Sequence, residues 1–125
     1  MAVCCLIVDD NPRFLRAARA LLERDGLTVS GVASTSAAAL QQAATLRPDV
    51  VLVDVALGDE SGFELARRLV ANPDQVAVIL ISTHSEADLD EAIRLSPAVG
   101  FLAKSDLSAE AILRLVDETS GRRGT

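Results

Sequence analysis

Apolar residues in this chain fall into two alternating patterns. Short runs rich in β-branched residues occupy 3–8, 27–32, 50–55, 76–81 and 99–103. Within them, stretches 4–8, 50–53 and 76–81 are continuously apolar, as expected of strands covered on both faces. Between these runs the apolar spacing becomes helical. Phe14, Ala17, Ala18, Leu21 and Leu22 form one stripe over 13–24, with Asn11 as N-cap, Pro12 at the first helical position and Gly26 as the stop. Ser36 or Ser34 opens an Ala-rich helix that stops before Pro48, because the residue preceding a proline avoids the helical region. Ser61 and Glu64 form a capping box for a helix over 62–71, which halts at Asn72-Pro73. Ser85 and Asp88 start a helix to about Leu95, before Pro97, and Ser108 starts the last one over 109–119. Five strand–helix units in strict alternation predict an α/β fold: a parallel sheet, doubly wound, with helices on both faces and right-handed crossovers.

Composition narrows the class. A chain of 125 residues that is 50% apolar suits one domain with a real core. The expected boundaries are a domain over 1–119 and a flexible C-terminal tail over 120–125 (Ser-Gly-Arg-Arg-Gly-Thr). The longest apolar runs fall far below the roughly 18 residues of a membrane helix. The N-terminus has no basic region ahead of Asp9-Asp10 and does not read as a signal peptide. Cys4 and Cys5 are adjacent on a strand, so they point to opposite faces and read as reduced packing residues of a cytoplasmic protein. The net charge of −6 and the 2% aromatic content argue against direct nucleic-acid binding by this domain.

In doubly wound sheets, ligands bind beyond the carboxyl ends of the strands. The first strand ends in Asp9-Asp10-Asn11, the third around Asp54, the fourth in Ser82-Thr83-His84 and the fifth in Lys104. One acid after a strand is commonly a helix cap or a loop residue. Acids after strands one and three, hydroxyls after four and a lysine after five form a more specific set. Three close carboxylates repel unless a cation joins them, and oxygen-only donors suit Mg²⁺ with room left for phosphate. Lysine supplies a point charge for a carboxylate or a phosphoryl oxygen, a hydroxyl can donate to another, and an Asp can act as nucleophile.

Those residues, in the segments Leu6-Ile-Val-Asp9-Asp10-Asn11, Asp54-Val-Ala-Leu-Gly-Asp-Glu-Ser-Gly62, Ile79-Leu-Ile-Ser82-Thr83 and Gly100-Phe-Leu-Ala-Lys104, resemble the response-regulator receiver domain of bacterial two-component signalling. The resemblance covers essentially residues 3–119 and implies a flavodoxin-like (βα)5 fold with strand order 2-1-3-4-5. It implies that Asp54 accepts a phosphoryl group from the phosphohistidine of a sensor histidine kinase or a phosphotransfer protein. It further implies Mg²⁺ held by Asp10, Asp54 and the Ala56 backbone carbonyl, with Asp9 acting through water. Lys104, Ser82 and Thr83 would meet the phosphoryl group, and Ser82 and Phe101 would form the switch that moves helix four, strand five and helix five. Gly58 stands where proline is frequent, pointing to a more mobile loop. Ser105 stands where many members have a cis-proline, which leaves the isomer of the Lys104–Ser105 bond open. Phe101 lacks a tyrosine hydroxyl.

His84, the only histidine, reads as a loop residue beside the site, with modulation of dephosphorylation or access as its functional role. No nucleophile elbow, dinucleotide fingerprint or Walker loop is present. A phosphatase using an Asp nucleophile would want an acid two residues past Asp54, where Ala56 stands. A phosphoacceptor switch, not an enzyme, is the expectation; the alternative is a receiver-like binding module that works without phosphorylation. The output, whether a partner or a C-terminal domain, is not specified, and the switch acts as a monomer or a phosphorylation-dependent dimer.

Overall fold

Strands apolar on both faces demand helices above and below the sheet, and the computed structural model has that arrangement. It describes residues 3–71, 76–84 and 86–123. In chain order the elements are β1 (Cys4–Val8), α1 (Pro12–Arg24), β2 (Thr28–Ala33), α2 (Ser36–Leu46), β3 (Val50–Asp54), β4 (Ala56–Leu57), β5 (Glu60–Ser61), α3 (Gly62–Val70), β6 (Ala77–Ser82), α4 (Glu86–Leu95), β7 (Gly100–Ala103), a 3₁₀ turn (Lys104–Asp106) and α5 (Ala109–Arg123). The main sheet runs β2-β1-β3-β6-β7 with every neighbouring pair parallel, which is order 2-1-3-4-5 when only its own strands are counted.

Alternate residues of the central strands serve the two faces. Cys5, Ile7, Val50, Leu52, Ile79 and Ile81 pack under α1 and α5, against Leu15, Leu22 and Ile112. Leu6, Val8, Val51, Val53, Val78 and Leu80 pack on the other side, against Ala39 of α2 and Leu65 and Leu69 of α3. Each fully buried Leu or Ile contributes on the order of 2 kcal/mol of transfer free energy, so strand register is held strongly. Cys5 is buried and its thiol is pushed up to about 12, chiefly by desolvation, so it stays protonated and inert; Cys4 is half-buried, and both are free.

Several local expectations change. The cap of α2 is Thr35, neither Ser34 nor Ser36: its hydroxyl accepts from the Ala38 N–H at 3.1 Å, while Ser36 is already helical and buried. Ser61 does cap α3, accepting from the Glu64 N–H at 3.3 Å, but Glu64 turns outward to Arg67 at 2.7 Å, so only half of the capping box forms. The α3 stop at Asn72-Pro73 and the α4 start at Ser85 lie outside the described residues, as does the side chain of Asp88. Helix α5 continues to Arg123, past the expected end at Thr119 and through most of the segment read as a tail. The Lys104–Ser105 bond is trans, since no cis bond occurs among the described residues.

The segment after β3 holds an unforeseen element. β4 and β5 pair antiparallel around Gly58-Asp59, with a positive φ of 59° at Gly58 alone, the pattern of a type II′ hairpin. Proline fixes φ near −65°, so it could not occupy position 58 in this turn.

Candidate functional site

Register brings the strand ends together. Val8 pairs with Val53, Asp54 with Ile81 and Ser82 with Ala103, so Asp9, Asp54, Ser82 and Lys104 line one edge of the sheet. Asp9 is fully buried; its Oδ1 accepts from the Asn11 N–H at 2.8 Å, an Asx turn that leads into α1. Asn11 then caps α1, accepting from the N–H groups of Arg13 and Phe14. Asp54 is buried at the last position of β3, its Oδ1 accepting from the Ala56 N–H at 3.1 Å. Lys104 Nζ lies 2.6 Å from Asp9 Oδ2 and 3.1 Å from Asp54 Oδ2, and it donates a hydrogen bond to the latter. It is the chain's only lysine; every other basic side chain apart from His84 is an arginine.

Asp10 is exposed, yet one of its carboxylate oxygens lies within 4.8 Å of oxygens from both Asp9 and Asp54. Asp9 Oδ2 is buried and has no aligned hydrogen-bond donor among the described residues, although it forms the ion pair with Lys104. Three converging carboxylates, one with spare buried lone pairs, suit a hard divalent cation such as Mg²⁺. The hairpin turn roofs the cluster: a Cβ on Gly58 would lie 3.5 Å from Asp10 Oδ2.

Burial pushes the Asp54 carboxyl above its ordinary range, outweighing the lowering by the Ala56 N–H and Lys104; the Asp9 charge pushes it the same way. Burial pulls the Lys104 ammonium down, but the hydrogen bonds and charges of Asp9 and Asp54 outweigh it and raise it above the usual lysine value. The pair therefore sits as an ammonium clamped between carboxylates.

Ser82 is buried, and its hydroxyl oxygen accepts from the His84 N–H at 3.0 Å, with His84 Nδ1 at 3.4 Å. Thr83 and His84 are exposed beside it. Phe101 lies half-buried on β7 and packs on the α2–α3 side of the sheet. Ala56, exposed in β4, contributes its N–H to Asp54.

Sequence reasoning missed three supporting residues. Gly62 N–H donates to Val55 O at 2.9 Å, and any Cβ there would collide with the Asp54 backbone carbonyl. The bare glycine after Ser61 was the available signal. Glu60 accepts from the Ser36 N–H at 2.9 Å, tying the hairpin to the N-terminus of α2. Phe14 places its ring centroid 4.3 Å from Lys104 Nζ; its helical stripe explains only its packing.

Residues 5–117 match the response regulator receiver domain family. The chain is 29% identical to the response regulator UvrY of Escherichia coli over 119 residues, covering 94% of this chain and 55% of that protein. It is 32% identical to the response regulator GacA of Pseudomonas viridiflava over 114 residues, covering 89% of this chain and 53% of that protein. The chain thus spans about half the length of these relatives. The signal receiver domain of the response regulator NarL from Mycobacterium tuberculosis superposes with a TM-score of 0.80 at 30% identity, covering 93% of this chain and 97% of that one. The chain belongs to the response regulator receiver domain family.

Proposed function

We propose that this domain is a phosphoacceptor switch with Asp54 as the acceptor. The observation that carries the reading is Lys104, an ammonium held between Asp9 and Asp54 at a cluster that also includes Asp10. An Asp54 carboxylate oxygen bonds to the phosphorus of a donor phosphohistidine. The P–N bond breaks, the imidazole leaves with the electron pair and takes up a proton, and a mixed anhydride remains on Asp54. Lys104 then exchanges its Asp54 contact for a phosphoryl oxygen while keeping Asp9. Ser82, which accepts from His84 N–H and lies 3.4 Å from His84 Nδ1, turns its hydroxyl proton to a second phosphoryl oxygen, with Thr83 beside it. Asp10, Asp54 and the Ala56 carbonyl would hold Mg²⁺, with Asp9 acting through water, and the ion would supply neutralisation of the carboxylates and of the incoming phosphoryl charge.

Ala56 supplies no acid two residues beyond Asp54, which favours a lasting phosphoryl group over rapid turnover. Slow autodephosphorylation is the only catalysis, with His84 placed to modulate it. Movement of Ser82 and Phe101 shifts α4, β7 and α5 between two arrangements, and a partner or output domain outside this chain reads the difference. The donor is a sensor histidine kinase or a phosphotransfer protein.

Acetyl phosphate with Mg²⁺ adds one phosphoryl mass to the wild type and none to Asp54→Asn, by intact mass spectrometry. An unmodified wild type, or a modified Asp54→Asn, overturns the reading.

A further inference from the structure

We infer that Phe14 is a positioning residue for Lys104, a role that rests on the phosphoacceptor reading of the site. The ammonium faces three partners. Asp9 Oδ2 lies at 2.6 Å, Asp54 Oδ2 at 3.1 Å, and the Phe14 ring centroid at 4.3 Å. A cation within about 6 Å of an aromatic centroid is attracted to the ring face, and more strongly where water is excluded. Here the Lys104 side chain is only 14% exposed.

The ring stands where it can hold the ammonium independently of Asp54. Phe14 lies in the first turn of α1, its N–H bonded to the Asn11 side chain, and the same segment carries Asp9 and Asp10. It packs half-buried against the core beneath α1 and α5, so its position is braced from below. When Asp54 gains a phosphoryl group, Lys104 loses its 3.1 Å contact and must reach an oxygen farther out. The stronger Asp9 contact alone would draw the ammonium inward. The neutral ring face opposes that pull without competing as a charge, and it keeps water from the third N–H. An aliphatic residue at position 14 would satisfy the packing but not the cation.

Because Lys104 is the only lysine, protein labelled with ¹³C-lysine gives a single ε-methylene signal. In metal-free wild type its proton shift lies upfield of free lysine, from the ring current. Phe14→Leu, with its fold checked by circular dichroism, abolishes the upfield shift, and Phe14→Tyr retains it. With acetyl phosphate and Mg²⁺, Phe14→Leu lowers the phosphorylation rate constant at saturating donor about fivefold. The half-saturating donor concentration is unchanged, and Phe14→Tyr restores the rate. An unshifted wild-type signal, or Phe14→Leu phosphorylated at the wild-type rate, overturns the inference. A wild type that takes up no phosphoryl group instead defeats the phosphoacceptor reading, and the resonance then decides whether Phe14 holds Lys104.

Discussion

Asp54 carries its charge at a disadvantage. Burial raises its carboxyl above the ordinary range, and the help from the Ala56 N–H and Lys104 does not cancel this. The unfolded chain ionises near the usual 3.8 and the folded chain at higher pH, so in that window the unfolded state holds fewer protons. Stability therefore falls as pH rises through it, and the deficit persists at neutral pH. Asp54→Asn, neutral and of the same shape, accordingly melts higher than wild type in metal-free buffer at pH 7. The gain shrinks as pH falls and Asp54 of the wild type becomes protonated. Thermal melts by circular dichroism test this, and an equal or lower melting temperature for the variant contradicts it. At this scale Asp9, Asp10, Asp54, Ser82 and Lys104 were legible because strand ends expose unlike chemistry at fixed places. Phe14 was not, because its apolar spacing already had a sufficient explanation in the core.

Elements set the site through close backbone approach. The N-terminus of α3 lies so near the end of β3 that a Cβ on Gly62 would meet the Asp54 carbonyl, a backbone atom that cannot rotate aside. Gly→Ala near a helix start ordinarily helps by reducing unfolded-state freedom. Here the sign reverses: Gly62→Ala costs about 2 kcal/mol or more, as overpacking does, and moves α3 away from the acceptor strand. Urea unfolding measures the loss, and a variant at least as stable as wild type contradicts the close approach. The hairpin of β4 and β5 escaped the sequence pattern because two-residue strands are too short to display alternation. The long strands and helices were legible because their periods repeat, whereas the cap of α2 was a choice among Ser34, Thr35 and Ser36 that only backbone geometry could make.

For the whole molecule, three carboxylates and one ammonium at a single sheet edge make stability depend on cations. Among the described residues no helix is long and apolar enough to cross a membrane, and the net charge of −6 stays unfavourable for a phosphate-bearing partner except where a cation changes the local sign. Lys104 is the built-in cation, with Asp9 fully buried behind it. Losing the Asp54 charge still leaves Lys104 paired with Asp9. Removing Lys104 instead leaves the buried Asp9 and Asp54 carboxylates with no cation between them, which costs about 3 kcal/mol or more. Lys104→Met should therefore unfold at lower urea than wild type in metal-free buffer. A divalent ion that binds only the folded state adds RT ln(1 + [L]/Kd), about 2.7 kcal/mol at one hundred times Kd. With no ammonium competing for Asp9 and Asp54, the variant should bind Mg²⁺ more tightly than wild type and recover more stability from it. The chain has neither Trp nor Tyr, so calorimetric titration and circular dichroism are the suitable readouts. Equal Mg²⁺ affinity in wild type and Lys104→Met would mean that the ammonium and the metal ion do not share these carboxylates.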